Sequence, residues 1–109
     1  MYNTEKFVYR IFKGNEFIEF EKKKMFSGNR TDLSSGFIHL STKQQLEETI
    51  LRYFNDAKGF IIVELRISDL KELLKWEKSR NNHFFPHFFG TLKYEWVKRI
   101  IRKDNFYEL

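Results

Sequence analysis

Cysteine is absent from this chain. That excludes disulfides, thiolate zinc sites, iron–sulfur ligation and a cysteine nucleophile, and it fits a reducing compartment. Proline occurs once, at Pro86, and the five glycines (14, 28, 36, 59 and 90) stand singly. There is accordingly no proline-rich hinge, and no Walker loop, GxGxxG, GxSxG or HExxH pattern occurs. No apolar run approaches the roughly 18 residues that a membrane span requires, so no membrane partner is expected. The opening "MYNTEKFVYRIF" lacks the basic segment, apolar block and cleavage site of a signal peptide. Together these absences point to a soluble, cytoplasmic protein.

What is present suits one domain spanning residues 1–109, long enough to bury a core without covalent staples. Phenylalanine is abundant, 13 residues, so the core should be aromatic and no single Phe is informative. Twenty Lys and Arg against 15 Asp and Glu give a net charge of +5, a balance that favours polyanions without specifying a fold. Much of this charge lies in "EKKK" (21–24), which reads as a solvated face, and in "VKRIIRK" (97–103).

"FVYRIF" (7–12) sets Phe7, Tyr9 and Ile11 against Val8, Arg10 and Phe12 and reads as a first strand. Phe17, Ile18 and Phe20 lie on helical spacing and predict a short helix over 15–23. Residues 27–36, "SGNRTDLSSG", read as one long polar loop. "FIHLS" (37–41) is the next strand. Thr42 with Gln45 forms a capping box, and Leu46, Ile50, Tyr53, Phe54 and Ala57 share one face of a helix over about 43–56. "FIIVEL" (60–65) is the most strand-like run, Ser68 can cap a short helix through Leu73, and "LKWE" (74–77) is extended. "SRNNHFFPHFFG" (79–90) reads as irregular, because Pro86 is disfavoured in helix interiors and central strands. Residues 92–103 read as a turn of helix and a strand. The order predicts an α+β fold with mixed or antiparallel twisted sheets and two or three short helices.

Chemistry is concentrated in "GFIHLSTKQQ" (36–45). Strand alternation puts Ile38 and Leu40 on one face and Phe37, His39 and Ser41 on the other. The helix that follows offers free N–H groups and a positive dipole end. His39, Ser41 and Thr42 beside that helix start suit a phosphate or a ribose hydroxyl. The plainer alternative is that Thr42 only caps the helix and His39 makes one backbone hydrogen bond. Glu77 follows Trp76, with Arg80 and His87 nearby; it is either a carboxylate held in a cleft or a surface partner of Lys78 or Arg80. His83 and His87 have a zinc-like spacing, but Pro86 lies between them and no third ligand is visible, so no metal site is expected. The "FFPHFFG" loop either stacks on a ring or plugs the core.

"GFIHLST", "WEKSR" and "FPHFFG", in that order, together with Tyr9, Arg10 and Ile11, resemble the bacterial domain-of-unknown-function 952 family over residues 9 to about 100. The family usually carries an acidic residue where Ser35 stands, and Asp32 is the carboxylate that can substitute. More distantly the chain is similar to the ADP-ribosyltransferase superfamily, so an ADP-ribosyltransferase-like fold is implied. A histidine in that superfamily's first motif contacts the adenosine ribose of NAD, and the RNA 2′-phosphotransferases carry a similar His-Leu-Ser stretch, here His39, Leu40 and Ser41. This chain is shorter than those enzymes and lacks their N-terminal lobe and its Arg-His motif.

The resemblance implies a protein that holds NAD, ADP-ribose or a related nucleotide. His39, Ser41, Thr42 and Arg80 are the candidate ligand contacts, with Arg30 an alternative to Arg80 for phosphate. Glu77 and His87 are the candidate catalytic residues, Glu77 stabilising an oxocarbenium-like state if an ADP-ribosyl group is transferred. The alternative is a module that binds RNA through Lys93, Lys98, Arg99, Arg102 and Lys103, or a non-catalytic interaction protein.

Overall fold

The computed structural model describes residues 6–54 and 59–104. Its frame is a three-stranded antiparallel sheet in the order β1 (Phe7–Lys13), β4 (Phe60–Arg66), β8 (Val97–Lys103). The central strand β4 is the continuous apolar run, and both its faces are covered. Val8, Phe12, Ile61, Val63 and Leu65 face one core, which Phe17 and Phe20 of α1 (Gly14–Lys23) complete. Tyr9, Ile11, Phe60 and Ile62 face a second core beneath Ile50 of α3 (Lys43–Phe54). Each such apolar side chain contributes about 1.5–3 kcal/mol when fully buried. Ile18 is 62% exposed, because it lies a helical step away from the Phe17–Phe20 stripe. Ala57 and the predicted end of α3 at 55–56 lie outside the described residues.

A second antiparallel sheet has the order β3 (Ile38–His39), β6 (Phe84–Phe88), β5 (Leu74–Lys78). Short strands β2 (Met25–Phe26) and β7 (Leu92–Lys93) form a separate pair. The two larger sheets meet where Tyr9 and Ser41 exchange backbone hydrogen bonds of 2.8 and 2.9 Å across the free edge of β1.

Three expectations are corrected. The polar stretch 27–36 contains a helix, α2 (Arg30–Ser35). Asn29 Oδ1 accepts the Asp32 N–H at 3.0 Å, and Asp32 Oδ2 accepts the Asn29 N–H at 2.8 Å, which closes a reciprocal cap. The segment read as irregular supplies β6, the central strand of its sheet, with Pro86 inside it. Backbone bonds Ser79 N–H to His83 O and Phe89 N–H to Leu73 O set the alternation against β5. By that alternation position 86 turns its nitrogen toward β3, whose ladder ends at His39. Only the Pro86 carbonyl is needed there, and it accepts from Leu40 N–H at 3.1 Å. Finally, Ser68 lies inside α4 (Ile67–Leu70), which Arg66 precedes as the cap residue without a side-chain bond.

Candidate functional site

Arg10 alternates with Val8 and Phe12 and therefore projects into the apolar side of β1, where it is 5% exposed. A buried guanidinium requires a counter-charge, and Asp32 of α2 provides it. Arg10 Nη1 donates to Asp32 Oδ1 at 2.9 Å, and Nη2 lies 2.9 Å from Oδ2. The same carboxylate accepts the backbone N–H groups of Asn29 and His39. Burial alone pushes this carboxyl up, but the bonds from His39, Arg10 and Asn29 and the Arg10 charge together hold it well below the usual carboxylate range. Asp32 is thus ionised and can only accept, so the 2.7 Å contact from His39 Nδ1 is a donated N–H. That fixes the tautomer and leaves Nε2 of His39 for the outside.

His39 pairs with His87 across the β3–β6 ladder, which places both rings on one face of that sheet. Their centroids are 5.9 Å apart. Glu77, on the neighbouring strand β5, reaches back so that its Oε1 lies 2.7 Å from His87 Nδ1. Phe37 stacks on His87 at 3.9 Å and touches His39 at 4.6 Å, so one aromatic ring backs both imidazoles.

In front of the two histidines lies a cleft of about 540 Å³ along the free edge of β1. His39, Ser41, Arg80 and His87 all line it, together with Arg10, Asp32 and, from α3, Thr49, Arg52 and Tyr53. Arg80 is held there by Thr49 Oγ1 at 3.0 Å and Glu48 Oε1 at 3.2 Å, with its guanidinium 4.9 Å from the Phe85 ring centroid. Arg10 Nε is buried with no hydrogen-bond partner among the described residues.

Three expected site groups stand elsewhere. Thr42 does not line the cleft; its Oγ1 accepts the Gln45 N–H while Gln45 Oε1 accepts the Thr42 N–H, so both are committed to the helix cap. The cleft therefore runs along the side of α3 rather than across its N-terminus. Glu77 does not line the cleft either, and reaches it only through His87. Arg30 is exposed and likewise outside the lining. Sequence reasoning passed over Arg10 and gave Asp32 only a substitute's part. The readable signal was a charge at the centre of an apolar strand face, which demands a partner. Tyr53, assigned to the buried helix face, is 61% exposed and belongs to the cleft wall.

The basic residues proposed for RNA do not share one surface. Pairing with β4 puts Arg99 opposite Glu64 and Lys103 opposite Phe60 on one face, and Arg102 opposite Ile61 on the other. Among the described residues no cluster of three or more His, Cys, Asp or Glu is arranged to hold a metal. No described helix is long and apolar enough to cross a membrane.

The model of one protein family, described as Protein of unknown function (DUF952), matches residues 11–100. The chain belongs to that family. Its similarity to solved structures is of the same extent. The crystal structure of protein CC0527 from Caulobacter crescentus superposes with a TM-score of 0.84 at 32% identity, covering 88% of this chain and 84% of that one. The solution NMR structure of CC0527 gives a TM-score of 0.78 at 33% identity, over 90% and 83%. No curated protein matches this chain. The DUF952 assignment agrees with the GFIHLST and FPHxxG resemblance, and those segments carry His39 and His87 to the wall of the cleft.

Proposed function

We propose that the cleft binds a phosphorylated ribonucleoside of the NAD or ADP-ribose class. The observation that carries this is the convergence of two carboxylate-anchored histidines with Arg52 and Arg80 on one concave surface. Anchored imidazoles are fixed hydrogen-bond partners for ribose hydroxyls, and guanidinium groups match phosphate oxygens. Tyr53, exposed on the cleft wall, offers an aromatic ring for a base. The volume lies within the 300–1,000 Å³ usual for small-molecule sites. NAD fits this donor set: Arg52 and Arg80 would take the pyrophosphate, and His39 with Ser41 a ribose, as the distant ADP-ribosyltransferase likeness implies. NAD would supply a ribosyl group bonded to a good leaving group. Glu77, the carboxylate expected to stabilise the oxocarbenium-like state of its transfer, does not line the cleft and meets it only through His87. The reading proposed is therefore nucleotide binding rather than that transfer.

The test is a thermal-shift titration of the wild type and His39→Gln with NAD, ADP-ribose and AMP. A ligand at 100 times its Kd adds about 2.7 kcal/mol of stability. A rise in Tm with at least one nucleotide in the wild type, reduced in the variant, is expected. A wild type whose Tm moves with none of the three nucleotides refutes the reading.

A further inference from the structure

The two histidines are anchored alike but balanced differently. Asp32 already has a full counter-charge in Arg10, so the cluster of Asp32, Arg10 and His39 is neutral with an uncharged imidazole. Glu77 has His87 as its one ion-pair partner among the described residues, so that pair is neutral only with an imidazolium. That difference suits His39, whose carboxylate is already paired, to the role of base and His87 to the role of acid. The two rings sit on paired strand positions, meet edge to face at 5.9 Å between centroids and both line the cleft, so one small group seated against the pair can meet both.

The rest of the lining narrows what that group is. The one carboxylate in it is Asp32, whose oxygens are taken by Arg10, Asn29 and His39, so none is left to face an oxocarbenium. Ser41 and Thr49 bond to each other at 3.3 Å rather than to either histidine, so neither hydroxyl is set up as a nucleophile. What remains is proton transfer beside guanidinium groups. Displacement at phosphorus needs that and little more, since positioning and charge stabilisation carry most of its catalysis.

We infer that His39 and His87 form an acid–base pair for displacement at phosphorus, and that the substrate is a ribonucleotide 2′,3′-cyclic phosphate. The inference rests on the nucleotide reading of the same cleft and specifies its chemistry. The cyclic ester suits the site because its opening requires only water, one proton taken and one given. His39 Nε2 removes a proton from water, whose oxygen bonds to phosphorus. The bond from phosphorus to one ribose oxygen breaks, its electron pair stays on that oxygen, and the proton of His87 Nε2 goes to it. The product is a ribonucleoside monophosphate with one free hydroxyl. Proton exchange with solvent restores both rings. Glu77 is a positioning residue that maintains the His87 imidazolium.

The experiment incubates the full chain with adenosine 2′,3′-cyclic phosphate and follows the monophosphate by phosphorus NMR. Turnover by the wild type is expected. His39→Gln and His87→Gln should each lower kcat by 10²-fold or more, the range of general acid–base catalysis. Glu77→Gln, a change at a half-exposed side chain that leaves the buried network intact, should lower kcat with little change in KM and shift the alkaline limb of the pH profile to lower pH. Thermal shift with AMP is run on the same samples. If the wild type binds AMP but does not open the cyclic ester, or if the folded histidine variants open it as fast, the acid–base inference falls and the nucleotide reading stands. If there is neither binding nor turnover, both fall.

Discussion

Replacing Asp32 by Asn tests whether the buried charge pair holds the site together. The carboxylate is 2% exposed and its Arg10 partner 5%, so solvent cannot replace the lost charge. Breaking one side of such a pair costs about 3–5 kcal/mol, because the remaining charge is left buried and uncompensated. Asn keeps one acceptor oxygen, so Asp32→Asn should lie near the lower limit, about 3 kcal/mol, and Asp32→Ala near the upper. A domain of this size loses roughly 4 °C of Tm per kcal/mol, hence about 12 °C for the amide. Urea unfolding at pH 7 measures the loss directly. The double replacement Arg10→Met with Asp32→Leu should cost much less than the two single changes added, since an apolar pair of similar volume leaves no charge unmatched.

The same variant has a pH signature. The folded-state pKa of Asp32 is depressed, so its contribution is fully present above the unfolded value near 3.9 and is lost as pH falls below it toward the folded value. The gap between wild type and Asp32→Asn should therefore be constant from pH 5 to 7 and close progressively from about pH 4 downward. A gap under 1 kcal/mol at pH 7, or one that widens in acid, would refute the charge-pair account.

Four further outcomes follow from the geometry. Gly28→Ala should destabilise by about 2 kcal/mol in urea, because φ is +123° and the new Cβ would stand 2.8 Å from Asp32 Cβ. Gly90→Ala should cost about 1 kcal/mol in the same assay, since its Cβ would meet Leu73 Cδ1 and the Phe88 ring at 3.0 Å and the leucine can give way. Arg80→Ala should weaken nucleotide binding at least tenfold by titration, yet shift urea stability by only about 1 kcal/mol, its ion-pair partner Glu48 being 56% exposed. Short RNA should show a log–log salt slope shallower than about −2, because β8 divides its cations between two faces; a slope near −5 would show that they act together.

Much of the frame was legible in the sequence because β1, β4 and β8 are long enough for a period of two to register. α3 was legible from its capping box and its apolar spacing. β6 was not, because Pro86 normally forbids a central strand; the exception depends on β3 ending one residue earlier, which only the paired strands reveal. α2 had a local signal in Asn29 and Asp32, but one turn of helix with a polar face gives no hydrophobic period. Of the site, His39 could be found as a histidine in an apolar strand and His87 by resemblance. Their pairing depends on register, and a register between residues 48 positions apart is a property of the sheet rather than of either segment.

Arg10 and Asp32 tie the cleft to the core more closely than either histidine does. Arg10 packs beside the Phe12 and Phe26 rings, with centroids 5.5 and 4.9 Å from its guanidinium, and it also donates to the His39 carbonyl at 3.1 Å. Asp32 caps α2, holds the His39 backbone and fixes its ring. A change in either residue alters binding and stability together, so affinity measured on such variants reports folding as well as recognition. Glu77 and Arg80 are different, since each meets the site from a half-exposed or loop position and carries little of the core. Replacements there separate the two quantities. A cleft built for chemistry predicts that Glu77→Gln changes turnover at constant Tm, whereas a cleft that serves only packing predicts that its small effects follow stability alone.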